Sequence, residues 1–578
     1  MAANVYSHTQ GERKEQLKAA RMSVKGWFLV AFALVGLAIW LPRGLTLDQF
    51  VTPDEPAWLG RSANFYHALV THNYADTFQH SHPGVMAMWV GTIIFHSEFT
   101  QYAWEATTRT LKNWKNVEPF LEENGQDPLR LLESSRSLMV LFNLIALMLA
   151  FQAADRLFGT WPALIGFMFI ALDPFHVGLT RLLHLDGLVS NLIFLAFLAF
   201  LCYLFQGRRL IDLFLAIVAT GFAWLTKSTA TLLVPMFILV MSIDLARNWR
   251  LDSRSYRQLI WQSIWPLAVW LLGSAAIFVA FWPSMWVNPM GTLARMFQTT
   301  LGYATRGHPS NVFFNGQVID GDPGWLFYPV NFVWRTTPAV LIGLALVLVA
   351  SVFRRDPMDD PDRRLPAFYL FLWILIYIVI MSLGAKKFDR YLLPAIPPIN
   401  LLAGLGWVAL VSWIAHRLRR PTSYLVSGGI LALVFGSQVF LTAQTYPYYL
   451  SYYNPLLGGP ARASQVMMIG WGEGLDQAGR YIESLPNADT LQVMTHYPEG
   501  SVSYFFNGKL KDLPSTWKGL EALREKGVDY LVLYVHQRQR RVPDPNMIDY
   551  FAGQVPEFTA RINGIDYAEV YNLHELRP

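Results

Sequence analysis

Two adjacent carboxylates, Asp54 and Glu55, stand in the stretch VTPDEPAWLG shortly after a long apolar run. A carboxylate so placed can take a proton from a reacting hydroxyl, and a guanidinium or ammonium group can hold an anion. Further ionisable residues occupy comparable places. HSHPG carries His80 and His82, and ALDPFHVGLTRLLHLDG carries Asp173, His176, Arg181, His184 and Asp186. FAWLTKST adds Lys227, and GAKKFDRYLLP adds Lys386, Lys387, Asp389 and Arg390. Each group flanks an apolar segment, where charge is costly to bury and usually serves function. Acids and bases therefore collect at one surface, where a polar molecule and a lipid-borne one can meet.

The elements that must position these groups are membrane helices. Of 578 residues, 53 % are hydrophobic and only 15 % charged, against about 25 % charged in a typical soluble protein. Mean hydropathy is +0.28. Eleven segments approach the 17–25 apolar residues that a span needs: 24–42, 136–154, 161–175, 187–205, 210–226, 228–244, 261–282, 337–353, 366–384, 391–415 and 423–443. The first lacks a small-residue cleavage site and reads as a retained anchor. The apolar stretch 85–95 is too short to span and reads as interfacial. The single cysteine, Cys202, excludes an intrachain disulfide.

Charge sets the expected topology. QGRRL, ARNWRLDSRSYR, FRRDPMDDPDRRLP and AHRLRRP are short and rich in arginine, whereas 62–108 contains no Lys or Arg. The positive-inside rule then places the tail 1–23 in the cytoplasm and the connections 43–135 and 283–336 outside; the expected location is the plasma membrane. The pI near 9.0 reflects these patches, so nucleic acid is not an expected partner. Beyond 443 the composition becomes that of a soluble domain, and 444–578 is expected to form an extracytoplasmic α/β unit. LQVMTH and VDYLVLYV read as buried strands there, with helices over 475–484 and 517–526. GWGEGLDQAGRYIESLP reads as a loop packing this unit onto the membrane part. The segment 283–336, with His308 and Asp322, reads as a lid or acceptor-facing element.

Each motif also has a plain structural reading. Asp54 and Glu55 after Pro53 suit a helix N-terminus. His80 and His82 are compatible with a divalent metal, or with a turn. Lys227 could snorkel, and Lys386 with Lys387 could anchor at the membrane surface.

Taken in order, PDE, HSHPG, RLLHLDGLVSNLIFLAF, LTKSTATLLVP and DRYLLPAIPPINLLAGLG resemble the GT-C membrane glycosyltransferases. The branch is that of the protein O-mannosyltransferases and aminoarabinose transferases (glycosyltransferase family 39-like), over roughly 24–410. Ser228 stands where that pattern has glycine, and Gly84 where it has proline. The resemblance implies a polytopic α-helical GT-C fold over 24–443. It also implies a sugar donor on a polyprenyl or dolichyl phosphate and an extracytoplasmic acceptor, whether protein, lipid or polysaccharide. For an inverting displacement, Asp54 would be the base, Glu55 would orient the acceptor or the local structure, and Asp186 would line the pocket and position the acceptor or a basic neighbour. Arg390 would grip the donor phosphate, helped by Lys227, Lys387 and Tyr391. His82, His184 and His308 would face the acceptor or the pocket. No cofactor is required by the sequence, although a divalent metal at His80 and His82 is compatible with it. The rival readings are a transporter or flippase, and a non-catalytic relative that binds cell-wall polymers.

Overall fold

The computed structural model describes residues 26–251 and 256–576. The expected tail 1–23 and part of ARNWRLDSRSYR lie outside the described residues. Helix α1 (Gly26–Gly44) leads to α2 (Glu55–Val70) and α3 (Val85–Glu98). Then follow α4 (Pro128–Phe158), α5 (Thr160–Ala171), α6 (Pro174–Thr180), α7 (Leu185–Phe205) and α8 (Leu210–Thr226). Next come α9 (Leu233–Leu251), α10 (Tyr256–Ala280), α11 (Pro289–Arg306), α12 (Phe327–Arg335) and α13 (Pro338–Val352). The bundle ends with α14 (Pro361–Leu383), α15 (Ile396–Arg417) and α16 (Arg420–Gln444).

Among the described residues, 8 helices are long and apolar enough to cross a membrane, or 10 if each bent pair is one span. The bent pairs are α5 with α6, at 68°, and α12 with α13, at 111°. Helix α8, 17 residues long, is a shorter apolar helix in the remaining place. The chain is a polytopic helical membrane protein with a C-terminal sheet, and these elements follow the order of the eleven apolar segments. Helix α7 is 89 % buried and α1 only 28 %. A helix that is apolar all round belongs at the centre of such a bundle, and α7 is that centre.

Three boundaries differ from the sequence reading, each for a local reason. Helix α4 begins at Pro128, inside the segment read as a connection. Asp127 caps it, accepting from the Leu129 and Arg130 amides, and Pro128 suits a first turn. The third segment is broken because Pro174 disfavours helical geometry at Asp173; the Asp173 side chain then caps α6 through the His176 amide. The buried Arg43 guanidinium donates to the Ile170 and Ala171 carbonyls that the break leaves free. The eighth segment is preceded by α12 across a sharp bend, with Pro338 opening α13.

Beyond α16 the chain builds a five-stranded sheet. Its strands are β3 (Gln492–Thr495), β4 (Lys509–Asp512), β5 (Tyr530–Tyr534), β6 (Phe558–Ile562) and β7 (Ile565–Asn572), after a hairpin of β1 (Val312–Phe314) and β2 (Gln317–Ile319). The sheet order is β4-β3-β5-β7-β6. Strands β4, β3 and β5 run parallel, while β7 pairs antiparallel with β5 and β6. LQVMTH and VDYLVLYV supply β3 and β5, and short helices occupy Leu475–Glu483 and Leu520–Arg524. Polar and backbone contacts tie this unit to the bundle: Gln49 to Asp476, Lys115 to Glu499, and Asn454 to the Trp334 carbonyl.

Candidate active site

A cleft of about 290 Å³ opens where the helical bundle meets the C-terminal sheet unit. Asp54, Arg390, Trp471, Glu473, His308 and Arg540 are among the residues lining it. Asp54 directly precedes α2, yet its side chain accepts no capping hydrogen bond. Its carboxylate is 42 % exposed and faces the cleft, 3.4 Å from Arg390 Nη2. Asp54 is therefore not spent on the helix terminus.

Arg390 comes from the 3₁₀ turn Asp389–Ala395, which starts the tenth apolar segment. Its Nε lies 3.3 Å from Asp186 Oδ2, and its guanidinium stacks on Phe388 at 4.1 Å and on Trp471 at 4.3 Å. His184 lies between the acids, its Nε2 3.5 Å from Asp54 and its Nδ1 accepting from the Asp186 amide at 3.4 Å. Lys227 pairs with the other oxygen of Asp186 and sits 4.0 Å above the Tyr391 ring. Two carboxylates and two cations thus form one connected group, with Asp186 beneath it and only 3 % exposed. Burial opposes ionisation of Asp54, but the His184 hydrogen bond and the Arg390 charge hold it below the usual carboxylate range.

Glu55 points the other way and is 0 % exposed. Both of its oxygens accept from Arg136, and it also accepts from the Thr52 amide and hydroxyl and from the Leu183 amide. Arg136 further donates to the Leu47 and Phe50 carbonyls. Burial again opposes the charge, and Arg136 keeps Glu55 below the usual range. This knot locks the segment before Asp54 onto α4 and onto the loop carrying His184.

Both carboxylates bind protons less readily folded than at their ordinary values of 3.8 and 4.5. Their contribution to stability is therefore complete above those values and is lost as pH falls below them. Thermal melts should show no loss from this source down to about pH 5 and a steep loss below about pH 4. A midpoint of acid destabilisation near pH 6 would contradict the assignment.

The remaining candidates are placed differently. Lys387 turns from the cleft to pair with Asp322, while its backbone meets His308 Nε2. Lys386 lines the cleft in its stead, 3.9 Å from the Tyr303 ring. His82 stacks on Tyr303 at 4.9 Å, and His80 Nδ1 accepts from the His82 amide at 3.1 Å. Burial pushes His80 down to about 4 and His82 to about 3, so both rings are neutral near pH 7. Among the described residues no three His, Cys, Asp or Glu side chains are grouped to hold a metal.

Gly84 explains the departure from proline in the HSHPG turn. Its φ is +60°, outside proline's range, and its amide donates to the Thr226 carbonyl at 3.0 Å. An added Cβ would lie 2.2 Å from Trp58, whose ring meets His80 edge-on. Gly84→Ala should lower stability by about 1–3 kcal/mol, read as a lower melting temperature. Unchanged melting would contradict the packing described.

The C-terminal unit contributes residues that the sequence reading did not single out. Trp471 sits edge-on to His184 at 4.9 Å as well as against Arg390. Gly472 seats its loop on the segment before Asp54; at φ +109°, its Cβ would lie 2.4 Å from the Val51 carbonyl oxygen. The glycines of GWGEG signal a packing loop, but nothing in their spacing points to Arg390. Arg335, at the end of α12, donates to Asp389 and to the Leu450 and Tyr452 carbonyls, and so braces the turn that carries Arg390.

Comparison with known proteins gives a partial match. Residues 132–286 match the family described as dolichyl-phosphate-mannose-protein mannosyltransferase. Undecaprenyl phosphate-alpha-4-amino-4-deoxy-L-arabinose arabinosyl transferase 1 of Pseudomonas fluorescens (strain Pf0-1) is 30 % identical over 124 residues. That stretch is 22 % of this chain and 19 % of the relative, so the similarity spans about a fifth of its length. Among solved structures, ArnT from Cupriavidus metallidurans bound to undecaprenyl phosphate has a TM-score of 0.48 at 12 % identity, over 95 % of this chain and 98 % of that one. The S. cerevisiae protein O-mannosyltransferase Pmt1-Pmt2 complex bound to the sugar donor has a TM-score of 0.49 at 10 % identity, over 73 % and 90 %. The chain resembles the GT-C membrane glycosyltransferases of the O-mannosyltransferase and aminoarabinose transferase branch.

Proposed function

We propose that this chain, similar over residues 132–286 to lipid-phosphate-dependent mannosyltransferases, is a membrane glycosyltransferase. It transfers a sugar from a polyprenyl-phosphate carrier to an acceptor hydroxyl at the extracytoplasmic face. The arginine-rich connections support the orientation, with the N-terminus in the cytoplasm and the sheet unit outside. One observation carries the reading: Asp54 offers an uncapped, exposed carboxylate to a cleft beside the Arg390 guanidinium.

The reaction follows from that pair. The acceptor oxygen attacks the anomeric carbon while Asp54 takes its proton. The bond from that carbon to the carrier phosphate breaks, and the phosphate leaves with the electron pair. Arg390 meets the charge that develops there with fixed N–H donors. Lys227 takes the other oxygen of Asp186, so Arg390 shares that deeper acid with a second cation.

The Arg390 pairing bears on the use of Asp54 as a base. Paired with Arg390, it holds a proton poorly. A donor phosphate competes for Arg390, and Asp54 then loses the cation that depresses its proton affinity. Donor binding thereby prepares the base. His184, itself held by the Asp186 amide, keeps the Asp54 carboxylate in place during the exchange.

The test is transfer by the purified protein in nanodiscs from a panel of polyprenyl-phosphate sugars to extracted envelope acceptors. Transfer that requires both Asp54 and Arg390 supports the proposal. Solute movement across vesicles with no transfer from any donor would replace it with the transporter reading.

A further inference from the structure

We infer that Arg540, carried by the C-terminal sheet unit, forms with Lys386 a second anion subsite beyond Arg390, so that the substrates bring a second negative group to this end of the cleft. The inference rests on the glycosyltransferase reading above and adds the chemical class of what is bound.

Most cations around the cleft have a carboxylate partner. Arg390 has Asp54 and Asp186, Arg335 has Asp389, and Lys227 has Asp186. Lys387, turned away, has Asp322. Arg540 and Lys386 both line the cleft, both are half-buried, and neither has a carboxylate within 4.0 Å among the described residues. Lys386 instead lies against the Tyr303 and Phe388 rings. Arg540 donates through Nε to the Asn311 carbonyl and through Nη2 to the Ser310 hydroxyl. Those neutral acceptors fix the guanidinium through Nε and Nη2 but leave its charge uncompensated.

His308 reports the field between these groups. Burial and the charges of Lys386, Arg540 and Arg390 push it down to about 4, against the opposing hydrogen bond to Lys387. Three cations therefore act on one neutral ring at the cleft wall. Partly desolvated cations without counter-charge are unfavourable, and a second phosphate or carboxylate would offset that cost. Of the other acids that line the cleft, Asp54 and Asp389 are paired with Arg390 and Arg335, while Glu473 accepts from the Trp471 amide and the Tyr534 hydroxyl, and burial raises its proton affinity.

The second anion has two sources: a diphosphate in the donor, or an anionic acceptor beside a monophosphate donor. The experiment measures binding of polyprenyl monophosphate, polyprenyl diphosphate and inorganic phosphate to the full chain in nanodiscs. Wild type is compared with Arg540→Gln and Arg540→Lys.

If the donor is the source, wild type prefers the diphosphate by about tenfold or more. Arg540→Gln abolishes that preference, Arg540→Lys keeps most of it, and monophosphate affinity stays within about twofold. If the acceptor is the source, the two lipids bind equally. Inorganic phosphate then binds to protein saturated with polyprenyl monophosphate, about tenfold more weakly in Arg540→Gln. The inference is overturned if wild type shows neither behaviour, or if Arg540→Gln changes neither while melting like wild type. Failure of polyprenyl monophosphate to bind in an Arg390-dependent way would instead overturn the glycosyltransferase reading. Inorganic pyrophosphate, which needs no lipid carrier, would then test Arg540 alone.

Discussion

Asp54→Asn should lower sugar transfer by about 10²–10⁴-fold, the usual contribution of a positioned general base. Asparagine keeps the size and the hydrogen-bonding reach of the side chain but cannot take the acceptor proton. Binding of the donor should survive. Arg390 loses its partner at 3.4 Å, so its guanidinium is freer to meet a phosphate, and polyprenyl-phosphate affinity should hold or rise. Loss of turnover with retained or tighter lipid binding is thus the signature of a base. A drop in both would mark Asp54 as a structural partner of Arg390. Full activity in the variant would move the base elsewhere, with Asp186, linked to the cleft through His184, the next group to test.

Glu55→Gln should act through stability. Glu55 and Arg136 are both buried, and the carboxylate accepts from Arg136, Thr52 and Leu183 at once. Removing one partner of a buried pair leaves an uncompensated charge and costs about 3–5 kcal/mol. A large fall in melting temperature in detergent is the expected result. The double variant Glu55→Leu/Arg136→Met should recover much of that loss, because an apolar pair needs no desolvated charge. It should not restore turnover, since the Thr52 and Leu183 hydrogen bonds that hold the Asp54 segment are gone with the carboxylate. If Glu55→Gln melts like wild type but turns over slowly, Glu55 has a chemical role that its burial does not suggest.

These adjacent acids show how much of the site was legible in advance. Composition, apolar run length and arginine placement suffice for a polytopic helical protein, because a span needs a continuous apolar stretch and that stretch is local in sequence. The same locality made β3 and β5 readable, and it marked Asp54, Asp186, Lys227 and Arg390 as charges at span ends. It could not say which way a side chain points. Asp54 and Glu55 are neighbours, yet one faces the cleft and the other is sealed against Arg136. Lys386 and Lys387 divide in the same way, one toward the cleft and one toward Asp322.

Helix breaks were partly readable. Pro174 announces one, but the Arg43 donors that satisfy the freed carbonyls come from a helix more than a hundred residues earlier. The C-terminal contribution was out of reach. GWGEG reads as a packing loop and does pack on Val51, but its Trp471 also covers Arg390 and His184. Arg540 reads as one of several basic residues in HQRQRR; Arg538 and Arg541 pair with Glu569 and Asp549, whereas among the described residues Arg540 has no carboxylate partner.

What the sequence determined by itself is the class of the protein and the types of groups at its site, because hydrophobic run length and charge at span ends are properties of short segments. What only the tertiary structure decided is the pairing. Asp54 meets Arg390 across 336 positions, and the energy of that meeting depends on burial and on which neighbouring cation is already neutralised. No local pattern carries either quantity.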